Sequence, residues 1–196
     1  ERWKVVLNQN PTHYSAIMGV ARACFKNRNF DEGEEIIKKL IYDDRHKHRI
    51  WPYIELINLT FNHLKDYQYT VDVCQLLFEN LGHQISNHSD IEHIPVCHLA
   101  LSLSKLGKFE ESIDLLSRYL SENSGKGEYR LALSQVYREK NEDKLAFENF
   151  IGLFKDFNQN LCEIKSTGKN FEIAVDNLLP NGHIKSEKGP LVSVIM

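Results

Sequence analysis

The stretch Lys105–Leu120, KLGKFEESIDLLSRYL, decides how this chain is read. It contains the end of one helix, a tight turn at Leu106-Gly107-Lys108, and the start of a second helix. Glycine adopts the positive φ that ends a helix at no steric cost, and Phe109 then packs into the bend. Glu110 and Glu111 fall in the first turn of the second helix, where the positive end of its dipole favours acids. Ile113, Leu116 and Leu120 follow at three and four residues, which is one buried helical stripe. The stretch is the corner of a helical hairpin.

The same corner recurs along the chain. Asn29-Phe30-Asp31-Glu32-Gly33 precedes Ile36, Ile37 and Leu40, and Lys65-Asp66-Tyr67 precedes Val71, Cys74, Leu77 and Phe78. A fourth copy, Asn141 to Ala146, precedes Phe147, Phe150, Leu153 and Phe154. The corner residues Phe30, Tyr67, Phe109 and Asp143 are separated by 37, 42 and 34 residues. A helix–turn–helix unit repeating near this period resembles the tetratricopeptide repeat (TPR) family. That family sets small residues where its two helices cross, and the matching pairs are Ala21/Gly33, Ala100/Ser112 and Ser134/Ala146. The second unit offers Asn58/Thr70, which predicts more widely spaced helices there. The family's large apolar positions hold Ile17, Val20 and Cys24, then Ile54, Ile57 and Phe61, then Val96, Leu99 and Leu103, then Leu133 and Tyr137. The resemblance covers roughly residues 1–157. It implies an all-α fold, a right-handed α-solenoid of antiparallel helix hairpins.

Residues 1–179 are expected to form this repeat domain. Trp3, Val6 and Leu7 share a helical face that Pro11 ends, so 1–11 reads as half of an earlier repeat. Complete units are expected at about 12–50, 51–92, 93–126 and 127–157. Phe171, Ala174, Val175, Leu178 and Leu179 suggest an amphipathic helix over about 169–179, capping the last repeat as solenoids require. Residues 180–196 are expected to be a breaker-rich linker followed by a strand, Leu191 to Met196, that opens a further domain.

Composition narrows the function. A chain of 196 residues with 42% hydrophobic content can build a core. Its formal net charge of −3 does not point to nucleic acid or an anionic membrane as partner. Cys24, Cys74, Cys97 and Cys162 are far apart with no CxxC, which favours reduced thiols and a cytoplasmic location. No apolar run approaches the roughly 18 residues of a membrane span.

Motif searches within the repeats return structural explanations. Asp43 to Arg49, DDRHKHR, carries both signs and reads as a solvated connector. His83, His88, His93 and His98 are five residues apart, which turns a helix by about 140° and points them away from one another, so no metal site is read here. Gly125-Lys126 lacks the upstream glycine and strand of a phosphate loop. The adjacent acids Glu34-Glu35 and Glu110-Glu111 sit at helix starts, where the dipole accounts for them. No catalytic residue and no cofactor is expected in the repeats.

Gly189-Pro190-Leu191-Val192-Ser193-Val194-Ile195-Met196 resembles the opening of the catalytic domain of family 2 glycosyltransferases, P-x-V-S-V-I-x-P on the first strand of a nucleotide-sugar-binding α/β domain. The match spans about seven residues. It implies that the full protein transfers a sugar from a nucleotide-sugar donor, with metal-binding acids and catalytic base beyond Met196 and no transferase activity in this chain. On that reading the repeats are a non-catalytic module binding a protein, a peptide or the acceptor substrate. A free-standing scaffold and a homodimerisation device remain as alternatives.

The TPR resemblance also places a binding groove on the first helix of each unit. Its positions here are Met18, Arg22, Phe25 and Lys26, then Glu55, Leu59, Asn62 and His63, then Leu101, Ser104 and Lys105, then Leu131, Gln135 and Arg138. Arg22, Lys26, Lys105 and Arg138 are expected to meet an acidic peptide, with Phe25 and the leucines taking apolar anchors. The lysine–asparagine clamp by which some members hold chaperone C-termini is missing: the matching places hold Met18, Arg22, Ile94 and His98.

Overall fold

Each of the four corners is closed by a residue with left-handed backbone, two positions before the next helix begins: Arg28, Lys65, Gly107 and Asn141, with φ between 53° and 79°. Around them the computed structural model describes residues 2–85, 91–123, 127–156, 165–167 and 170–172. The chain opens with α1 (Arg2–Gln9), and the first hairpin is α2 (Tyr14–Lys26) and α3 (Phe30–Tyr42). In the second, α4 (Ile50–Asn58) runs into a π-helical turn, Leu59–Leu64, before α5 (Tyr67–Ile85). The third pairs α6 (His93–Lys105) with α7 (Phe109–Glu122), and the fourth α8 (Gly127–Glu139) with α9 (Asp143–Asp156). Each helix packs on the next, and α6 also touches α4 and α8, giving the two layers of an α-solenoid.

Small residues bring the helices of a hairpin together. Ala21 and Gly33 are buried in the first, and in the third the Ser112 hydroxyl donates to the Ala100 carbonyl at 2.7 Å. The second hairpin differs from the sequence expectation. Asn58 is half-exposed while Ile57 is fully buried, and the hydroxyls that meet inside the hairpin belong to Thr60 and Thr70, 2.9 Å apart. The π-turn is the cause. In the other three corners the closing N–H donates five residues back: Asn29 to Cys24, Lys108 to Leu103 and Glu142 to Tyr137. In the second, Asp66 donates six residues back to Thr60, so the helix accommodates one extra residue by widening its last turn.

Two apolar clusters share α6. Leu99 and Leu103 join the cluster formed by α2 to α5, whose centre includes Ile37, Tyr53, Ile57 and Leu77. Val96 and Ala100 join the cluster of α7 and α8, with Leu116, Tyr129 and Val136. Cys24 and Cys74 are buried and Cys97 is half-buried; burial pushes the Cys97 thiol up to about 12. Cys162 lies outside the described residues.

Two further expectations are corrected. The connector 43–49 is not wholly solvated, because His46 is buried with its ring 5.5 Å from that of Tyr14, while the Arg49 guanidinium lies 4.3 Å over the Tyr14 ring. Burying an aromatic face draws the loop onto α2 despite its charges. The capping helix expected over 169–179 does not begin as a helix: β1 (Lys165–Thr167) pairs antiparallel with β2 (Asn170–Glu172), Thr167 opposite Asn170. A glycine opening the two-residue link between those strands is a hairpin signal that competes with the helical stripe. The rest of that stretch, and the strand expected at 191–196, lie outside the described residues.

Candidate functional site

The first helices of the hairpins carry the groove residues named above, and their ends differ in what they offer. Arg22 on α2 reaches the neighbouring α4, where its Nε donates to Glu55 Oε1 at 2.6 Å. Lys105 at the end of α6 reaches α8, its Nζ 2.6 Å from Glu139 Oε1, while the Ser104 hydroxyl donates to Glu139 Oε2 at 2.6 Å. Two cations expected to meet a ligand are thus already neutralised by acids of the adjacent unit. Exposed pairs of this kind contribute about 0–1 kcal/mol, so their larger effect is on what charge the surface presents.

Apolar groove positions change as well. Met18 and Leu59 are buried rather than exposed, Leu59 being only 1% accessible. Leu59 continues the buried face of α4, its N–H donating to the Glu55 carbonyl ahead of the widening. Leu101 is half-buried and Leu131 exposed. Asn62 and Arg138 are exposed and Gln135 is half-buried, and the structure brings none of these three to the pocket described next.

That pocket lies at the corner end of the first two units. Phe25 and Lys26 from the end of α2, Arg28 from the corner, Phe30 from the start of α3 and His63 from the π-turn line an open pocket of about 500 Å³. The His63 imidazole stacks on the Phe30 ring, centroids 5.0 Å apart and planes at 28°. Gly33 makes room for its wall: a Cβ there would collide with the Phe25 ring and stand 3.2 Å from Cβ of Cys24. Lys26 and Arg28 have no ion-pair partner among the described residues. Sequence reading named Phe25, Lys26 and His63 but placed them in one long groove. It took Phe30 as a corner residue and missed Arg28, whose only signal was its position two before that corner.

A second aromatic contact joins the second and third units. Phe61 sits edge-on to His98 at 4.8 Å and to Tyr67 at 5.7 Å. Burial lowers the His98 pKa against the effect of its ring nitrogen's 2.7 Å contact with the Ile94 carbonyl, so this imidazole is a neutral structural ring. No group of three His, Cys, Asp or Glu among the described residues could hold a metal ion. No helix among the described residues is long and apolar enough to cross a membrane.

Among solved structures the chain is similar to MamA. One MamA crystal structure aligns with a TM-score of 0.60 at 15% identity, over 80% of this chain and 85% of that one. A MamA structure from MSR-1 aligns with a TM-score of 0.56 at 20% identity, over 80% of this chain and 88% of that one. One from AMB-1 gives 0.54 at 19% identity, over 73% and 78%. At these identities the likeness shows the fold alone, an all-helical TPR-like solenoid. No protein-family model matches the chain, and no curated protein matches it by sequence.

Proposed function

We propose that this chain is a non-catalytic, protein-binding helical-repeat scaffold, and that it forms the N-terminal part of a nucleotide-sugar-dependent glycosyltransferase. The observation that carries the scaffold reading is the layer of first helices. It presents exposed polar side chains beside an open aromatic–cationic pocket, and two of its cations, Arg22 and Lys105, pair with acids of the next unit. The transferase attachment rests on the resemblance of residues 189–196 to the first strand of that catalytic domain. On this reading the repeats hold a protein partner or the acceptor near a downstream active site.

The test compares this chain with the gene product extended past Met196, both incubated with common nucleotide-sugar donors and assayed for donor hydrolysis and transfer. Turnover in the long form alone is the expected result. A folded long form inert toward every donor overturns the transferase attachment. Turnover in the 196-residue chain itself overturns the non-catalytic reading.

A further inference from the structure

We infer that the corner pocket receives one aromatic side chain of an acidic peptide segment from a protein partner, with the carboxylates flanking that side chain meeting Lys26 and Arg28. This rests on the scaffold reading and specifies the partner's chemistry. Charge supports it first. Arg22 and Lys105 are bridged to Glu55 and Glu139, whereas Lys26 and Arg28 stand beside the pocket with no acid paired to them among the described residues. A carboxylate is the group that completes them.

Shape supports it second. Phe25, Phe30 and His63 give about 500 Å³ of ring-lined space, which suits an aromatic anchor in offset or edge contact. The walls are built before any partner arrives: His63 is stacked on Phe30, Gly33 admits the Phe25 ring, and the Asn29 N–H closes the corner on the Cys24 carbonyl at 2.9 Å. A site already in its bound shape loses less entropy on binding.

Neighbouring charge in the sequence disfavours an extended polyanion. Asp31 and Glu32 are exposed immediately after Phe30, so a nucleic-acid backbone continuing past the pocket meets like charge.

The test is fluorescence anisotropy with the 196-residue chain and labelled peptides built on the cores DDFDD, DDSDD and KKFKK. The expected result is saturable, salt-sensitive binding of DDFDD, with weaker binding of the other two. Arg28→Gly keeps the left-handed backbone while deleting the charge, and Lys26→Gln acts on an exposed side chain. Together they should weaken DDFDD binding about tenfold or more, with the urea midpoint unchanged or raised. Failure of DDFDD to saturate, or binding that the double variant leaves unchanged, overturns the pocket. If KKFKK binds better and ignores the pocket variants, the pocket assignment fails while the scaffold reading stands. If no peptide of the three binds, the pocket assignment fails, and a displayed-peptide screen on the same chain then decides the scaffold reading separately.

Discussion

At each corner a single residue adopts left-handed backbone, and only glycine does so without strain. Gly107 meets its φ of 79° freely, while Arg28 meets 60° and Lys65 meets 53° with a Cβ in place. A left-handed L-residue costs about 1–2 kcal/mol, which glycine avoids while adding unfolded-state entropy. Gly107→Ala is therefore expected to lower the unfolding free energy and Arg28→Gly to raise it, each by about 0.5 kcal/mol once the unfolded-state entropy is counted. Urea titrations of both variants check this, and a destabilised Arg28→Gly would show that the arginine side chain holds the corner through contacts that outweigh its strain. Gly107 was legible as a turn from composition alone. Arg28 was not, because a left-handed arginine has no sequence signature: it is imposed by the hydrogen bonds that close the corner.

At the scale of the element, the π-turn distinguishes the second hairpin. Its six-residue closure from Asp66 to Thr60 replaces the five-residue closure of the other corners, with Asn62 exposed within it. Deleting Asn62 is expected to return the turn to α geometry at a cost below about 1 kcal/mol, since an inserted residue is what a π-turn absorbs. Deleting Glu55 instead throws Ile57, Leu59 and Thr60 about 100° out of phase, which should cost several kcal/mol through lost core contacts. Circular dichroism and urea midpoints separate the two, and equal losses would argue against the extra-residue account. Sequence periodicity predicted a helix here and a looser crossing. It missed the widened turn because one added residue leaves the apolar stripe recognisable on both sides, and only the hydrogen-bond register reveals the shift. Leu59, which alignment had put in the groove, lies ahead of that shift and is buried with α4.

For the whole molecule, the shared helix α6 sets how stability is distributed. It supplies Leu99 and Leu103 to one cluster and Val96 and Ala100 to the other, so the two halves couple mainly through it. In a solenoid, damage propagates to nearest neighbours. Leu116→Ala, at a fully buried side chain of the second cluster, is expected to cost about 2–5 kcal/mol. Amide exchange should accelerate more in α8 and α9 than in α2 and α3. Uniform acceleration would mean that the helices unfold as a single unit.

Helical hairpins, their corners and most of their buried stripes were determined by the sequence itself, through periodicity of about 3.6 residues, small crossing residues and turn residues that act locally. The corner pocket was decided only by tertiary structure. Phe25, Arg28, Phe30 and His63 come from separate elements and meet through a left-handed corner and a widened helical turn. Which cations remain available was decided there too, because Arg22 and Lys105 find their acids on neighbouring hairpins 33 and 34 residues away in sequence. Charge pairing at that range depends on how the hairpins stack, and stacking depends on side-chain shapes that no local pattern records.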